Sequence, residues 1–83
     1  MKIILLPQAQ EDLASIAEPL LSKVIKRLRT LALYPSMGAA MSGLFSGYRG
    51  TVVGNFRVVY KQPEPATIHI AYIRHCRRSA PEA

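Results

Sequence analysis

Residues 50–61, "GTVVGNFRVVYK", confine the fold more than any other part of this chain. Two β-branched apolar runs flank Gly54 and Asn55. Both of those residues tolerate positive φ, so the pair signals a two-residue hairpin between strands over Tyr48–Val53 and Phe56–Lys61. "QPEPA", Gln62–Ala66, reads as a turn, and Thr67–Ile73 alternates as a further strand. Such a meander has one apolar face, which another layer must cover.

The first half of the chain supplies that layer. Ala9, Leu13, Ile16 and Ala17 recur at helical spacing, with Gln10, Glu11, Asp12 and Ser15 outside. Pro7 suits a first helical turn. Glu11 and Asp12 read as helix-start residues, where the helix dipole favours acids. Pro19 interrupts the pattern and opens a second helix, in which Leu20, Leu21, Val24, Ile25, Leu28 and Leu31 share a face. Its cations, Lys23, Lys26, Arg27 and Arg29, read as a wet face. Tyr34 before Pro35 ends it, because proline pushes its predecessor out of the α region. Residues 35–47 read as a loop, with Met37, Met41, Leu44 and Phe45 unusually apolar for one. "KIILL", Lys2–Leu6, reads as a strand buried on both faces. The expected order is β-α-α-β-β-β over one domain, residues 1–83. It is a small two-layer α+β fold, with a helical hairpin on one face of a mainly antiparallel sheet and the other face partly open.

Charge narrows the partners. Eleven Lys and Arg against five Asp and Glu give +6, which predicts an anionic partner: nucleic acid, an acidic protein or a membrane surface. The apolar run Ile3–Leu6 is too short for a signal-peptide core or a membrane span. Cys76 is the sole cysteine, so this chain alone makes neither a disulfide nor a cysteine zinc site, and a reducing cytoplasm is expected. No Ser-His-Asp set, glycine-rich phosphate loop or metal-ligand spacing is present, so no metal or cofactor is expected.

The candidate site residues are cations. Alternation puts Phe56, Val58 and Tyr60 toward the helices and Arg57, Val59 and Lys61 on the open face. Arg57 there is either a solvated strand residue or a phosphate grip, since its planar fork donates two hydrogen bonds at once. "YIRHCRRS", Tyr72–Ser79, adds Arg74, His75, Arg77 and Arg78, read either as a solvated tail or as a cluster beside Arg57. His75 is the only group in this run of a type whose unperturbed pKa lies near neutrality, so it can carry protons. Tyr48 and Arg49 can face the same groove, although packing accounts for Tyr48 equally well. His69 reads as structural.

These residues also resemble a known family. "L-x-x-YP-x-x-G" from Leu31 to Gly38, "L-x-x-GYRG" from Leu44 to Gly50, "VGNFRVVY" and "YIRHCRR" are similar to the RelE/ParE superfamily of bacterial toxins. The resemblance extends back to "A-x-x-DL-x-x-I" at Ala9–Ile16, and "GNFRVVY" is its most specific part. It implies a toxin of a type II toxin–antitoxin pair, with a cognate antitoxin as partner. The compact hairpin favours the RelE-like branch, whose members cut mRNA on the ribosome without a metal. That implies catalytic roles for Arg57, His75 and Arg77, and substrate contacts from Tyr48, Arg49, Lys61, Arg74 and Arg78. The family's strand lysines and C-terminal tyrosine have no counterpart here, and its tail arginine falls at or beside Cys76. These departures leave two alternatives open: inhibition of DNA gyrase as in ParE-like members, or a weakened toxin that acts mainly through its antitoxin complex.

Overall fold

The computed structural model describes residues 1–76. Arg77 and Arg78 lie outside the described residues. Strand β1 (Lys2–Leu5) leads through Leu6 into helix α1 (Pro7–Ala14), and helix α2 spans Leu20–Leu33. Strands β2 (Ala39–Ala40), β3 (Arg49–Val53), β4 (Phe56–Glu64) and β5 (Thr67–His75) follow. They form one five-stranded sheet in the order β1-β5-β4-β3-β2. Only the β1–β5 pairing is parallel. The two helices cover one face, as the hydrophobic pattern requires. No helix among the described residues is long and apolar enough to cross a membrane.

Pro7 opens α1, where its missing N–H costs nothing. The helix stops at Ala14, short of the Ala17 that spacing suggests. Ser15 ends it by bonding both its N–H and its hydroxyl to the Asp12 carbonyl. Glu18 then serves α2: its carboxylate accepts from the Ser22 N–H and hydroxyl, satisfying an orphan donor of the first turn. Val24, Leu28 and Leu31 of α2 pack with Ala9 and Ile16 against Val53, Val58, Tyr60, Ile68, Ile70 and Ile73 of the sheet. Each fully buried Val, Leu or Ile contributes roughly 1.5–3 kcal/mol by leaving water.

The hairpin forms at Gly54-Asn55 as expected, closed by the Val53–Phe56 pair. Gly54 alone has positive φ, +58°, which is the type II′ pattern rather than I′. Four other expectations are corrected. "KIILL" is not buried on both faces. It is an edge strand, half-buried, because only β5 pairs with it. "QPEPA" does not turn at Gln62. Strand β4 continues to Glu64, and Pro63 is tolerated because β3 reaches only as far as Tyr60, so its missing donor has no partner to lose. Tyr48 precedes β3 rather than starting it. Residues 35–47 are not all loop: Ala39–Ala40 pairs with Arg49 and Gly50, and Gly43–Phe45 forms a 3₁₀ turn.

Strand β5 contains one extra residue. Val59 pairs with Tyr72 while Tyr60 pairs with Ile70, so Ala71 bulges out of the ladder. A bulge of one residue reverses which face every later side chain occupies. Ile68, Ile70 and then Ile73 therefore face the helices, and Tyr72 and Arg74 face the other way.

The chain beyond α2 is held by Tyr60. Its ring is fully buried, and its hydroxyl donates to the Pro35 carbonyl at 2.7 Å and accepts from the Gly38 N–H at 3.0 Å. A Cβ on Gly38 would stand 2.6 Å from that hydroxyl and 2.9 Å from the Gly50 carbonyl oxygen. Gly38→Ala should therefore destabilise the fold by about 1–3 kcal/mol through overpacking. Tyr60→Phe should cost about 1–3 kcal/mol by leaving the buried Gly38 N–H unsatisfied. Urea unfolding checks both: each midpoint should fall, with the m-value unchanged.

Candidate functional site

The face of the sheet away from the helices carries the candidate residues in three steps. Residues opposite each other in an antiparallel ladder share a face, so Arg57 stands beside Arg74, Val59 beside Tyr72, and Lys61 beside His69. The first step pairs two guanidiniums, and like charges directly opposite repel. Arg57 is exposed. Its stem runs over Gly50, where a Cβ would lie 3.4 Å from both Arg57 Cδ and Met41 Sδ. The missing side chain at Gly50 thus gives Arg57 its bed. Beside it a cleft of about 400 Å³ is lined by Ala39, Ala40, Met41, Gly50, Val52 and Arg57.

The middle step is aromatic. Phe45 meets Tyr72 edge-on at 5.8 Å and Tyr48 at 6.3 Å, so the 3₁₀ turn folds an apolar cap onto this face. Val59 is fully buried on this face, outside the core that the helices cover. Tyr72 is 8% exposed, and its hydroxyl oxygen is buried with no hydrogen-bond partner among the described residues. Burial pushes the phenol above its ordinary value, while the Arg57 and Arg74 guanidiniums pull it partly back and Tyr48 adds a small push upward. At the third step the Lys61 ammonium lies over the Tyr48 ring, 5.3 Å from its centroid.

Arg74 bridges this face and the sheet edge. Its guanidinium carbon lies 5.9 Å from the Tyr72 ring centroid. Its Nε is 3.7 Å from an Asp12 carboxylate oxygen, an ion pair too long for a hydrogen bond, and Nε makes no other bond among the described residues. Asp12 is therefore no helix-start residue. It sits inside α1 and accepts from the Ile73 N–H at 2.9 Å, where β1 has ended and the edge of β5 is otherwise open. Arg27 corrects the wet-face expectation in the same way, donating to the Thr51 hydroxyl and the Val52 carbonyl at the far edge.

Two expected site residues lie elsewhere. Arg49 pairs with Tyr60 and so shares the helix-side face, where it donates to the Gly38 carbonyl at 2.8 Å. His75 pairs with Phe56, and their rings meet edge-on at 5.4 Å. It lines a small cleft with Asp12, Ser15, Phe56, Ile73 and Arg74. The Ala71 bulge turns His75 away from the Arg57 face and brings Tyr72 and Arg74 to it. Strict alternation along β5 would put Tyr72 on the helix side, so no pattern within the strand marks it as a site residue.

Residues 3–80 match the family described as ParE toxin of type II toxin-antitoxin system, parDE. No curated protein sequence matches. Among solved structures, the toxin–antitoxin complex RelBE2 from Mycobacterium tuberculosis contains a similar chain, with 21% identity, TM-score 0.80, and 89% of this chain and 95% of that one covered. The YoeB/ParE toxin from Agrobacterium tumefaciens is 17% identical with TM-score 0.78, covering 90% and 98%. The chromosomal ParDE system from P. aeruginosa is 17% identical with TM-score 0.74, covering 90% and 95%. Identities this low speak for the fold alone.

The buried phenol generates a test. Its folded value is raised, so the stability linked to Tyr72 is fully present below the ordinary tyrosine value near pH 10 and is lost as pH climbs through the folded value. Tyr72→Phe should remove that part of the alkaline decline. Urea midpoints of parent and variant, measured from about pH 8 to about pH 11, should converge in shape at the low end and diverge at the high end.

Proposed function

This chain belongs to the ParE toxin family of type II toxin–antitoxin systems, and from that membership we propose that it is a ribosome-dependent endoribonuclease that cuts mRNA and halts translation. The observation that carries this reading is the Arg57–Arg74 pair on the open face of the sheet, two cations set side by side with no carboxylate paired to them from that face among the described residues. Asp12 reaches Arg74 only from the strand edge. A guanidinium pair is suited to the dianionic phosphorane that forms when a ribose 2′-OH attacks its own 3′-phosphate.

In that reaction the 2′-oxygen bonds to phosphorus and the bond to the 5′-oxygen of the next nucleotide breaks. A proton leaves the hydroxyl and another reaches the departing oxygen. Arg57 grips the scissile phosphate. Lys61 and Tyr48, further along the same face, lie where the neighbouring nucleotides pass. His75 is the candidate proton carrier, because an imidazole can both take and give a proton. It lies at the last residue of β5, where the sheet ends and a substrate crossing that end meets both faces. Arg77 and Arg78 follow it in sequence and add cations. The ribosome aligns the strand, which lowers the entropic part of the barrier. A ribosomal target implies a cytoplasmic protein.

Two observations favour a second reading. The family description names parDE, and His75 stands on the face opposite Arg57. A DNA gyrase inhibitor needs cations and shape but no proton carrier. Arg57→Ala should abolish growth arrest while the domain stays folded, because Arg57 is exposed. In the ribosomal assay its cleavage rate should fall at least about a hundredfold, the scale of a lost oxyanion contact. Mapping mRNA ends on purified ribosomes checks it. Gyrase-dependent DNA breaks with no new mRNA ends would replace the first reading with the second.

The partner is an antitoxin that carries an acidic amphipathic segment. A groove of about 460 Å³ between α2 and the β3 edge is lined by Lys23, Lys26 and Arg27 beside Met37 and Val52. Met37, Leu44 and Val52 are large apolar residues left exposed nearby. Association should slow as salt rises, because the cations steer the encounter. Hydrogen exchange of the complex should show protection at residues 37–45 and along α2. Protection confined to other surfaces would remove this groove from the interface.

A further inference from the structure

Two polar groups on the open face are buried without hydrogen-bond partners among the described residues: the Tyr72 hydroxyl and the Arg74 Nε–H. Both belong to one neighbourhood, since the Arg74 guanidinium lies 5.9 Å from the Tyr72 ring centroid. Arg57, cross-strand from Arg74, acts electrostatically on the same phenol. Buried polar groups in folded proteins are bonded almost without exception, and each exception calls for a cause. Here both exceptions can donate. Among the described residues the Arg74 Nε–H faces only the Asp12 carboxylate, at 3.7 Å and too far for a hydrogen bond, and the Tyr72 hydroxyl feels two repelling guanidiniums. One oxyanion would accept from both donors and relieve the repulsion at once.

We infer that the Tyr72 hydroxyl, the Arg74 Nε–H and the Arg57 guanidinium form a single site for a phosphodiester group of single-stranded RNA. This rests on the RNA-cleaving reading above and adds to it a neutral donor that the arginines do not provide. A phosphodiester suits the set better than a carboxylate. Its oxygens are disposed tetrahedrally, so donors arriving from two adjacent strands, a phenol among them, can each find a lone pair. A carboxylate offers two coplanar oxygens, which a single arginine fork satisfies. The surroundings also suit nucleic acid: Phe45, Tyr48 and Tyr72 present aromatic surface beside the cations, the combination that single strands use for stacking and backbone contact. Tyr72 serves as a donor and not as a base, because burial holds its proton on. Arg57 is exposed, so its guanidinium can meet an anion that arrives on this face.

The test uses the full chain and a short single-stranded oligodeoxynucleotide, which has no 2′-OH and so is bound without being cut. Affinity is measured by titration for the parent, Tyr72→Phe, Arg57→Ala and Arg74→Ala, with the urea midpoint of each variant near neutral pH as a control on folding. Tyr72→Phe keeps the ring and should weaken binding about tenfold, the scale of one hydrogen bond to a charged group. It should leave the slope of affinity against salt unchanged, whereas each arginine variant should reduce that slope by about one. In the parent, the ¹³Cζ signal of Tyr72 should titrate at higher pH with oligonucleotide bound, because the anion offsets the two guanidiniums. If Tyr72→Phe binds as the parent does while Arg57→Ala is weakened, the inference about Tyr72 falls and the open-face reading stands. Loss of affinity in none of the three variants overturns both. If Tyr72→Phe weakens an acidic peptide and not the oligonucleotide, the site is a carboxylate site and the assignment to RNA is overturned.

Discussion

The hydroxyl of Tyr60 holds the second half of the molecule in register with the first. Its ring occupies the core under α2, and its oxygen ties the Pro35 carbonyl and the Gly38 N–H together. Arg49 takes the Gly38 carbonyl, so both polar groups of one glycine are bound by β3 and β4. This clamp decides where the chain leaves α2 and how Ala39–Ala40 meets β3. From there the 3₁₀ turn is placed, and with it Phe45 over Tyr72. A loop fixed in the core on the helix side thus shapes the opposite face, through backbone that has no alternative partners.

The two edges of the sheet are handled by charge. Strand edges expose donors and acceptors that invite pairing with another chain. Asp12 takes the Ile73 N–H at one edge, and Arg27 takes the Val52 carbonyl at the other. Each charged residue sits on a helix and reaches sideways to a strand end that no neighbour covers. The same residues border the functional surfaces. Asp12 pairs with Arg74 from the strand edge, and Arg27 lines the cationic groove beside α2. Edge protection and partner recognition are therefore coupled in this fold: altering either residue disturbs a strand edge together with a binding surface.

The periodicities of the chain revealed its layers, its hairpin and most of its core. Val24, Leu28 and Leu31 follow helical spacing, Val58 and Tyr60 follow strand spacing, and Gly54 makes the turn. Arg57 was legible as well, because one bulge-free strand step from the hairpin leaves no doubt about its face. Local polar contacts were not legible. Nothing in the sequence ties Glu18 to Ser22 across a proline, or Arg27 to a strand 25 residues on, since such bonds depend on where elements come to rest.

What the sequence determined by itself is the two helices, four of the five strands and the cationic character of the open face. What the tertiary structure decided is which cations and which tyrosine stand together there. Strict alternation from Ile68 and Ile70 places Tyr72 and Arg74 against the helices and sends His75 to the Arg57 face. The structure does the reverse, because Ala71 is expelled from the ladder between Val59–Tyr72 and Tyr60–Ile70. Whether a strand bulges depends on its partner's register and on the side chains that must be buried beyond it. Here Ile73 reaches the core only if one residue is skipped, and burying an isoleucine in place of a tyrosine and an arginine favours the slip. That choice is made between strands, so no pattern within one strand records it.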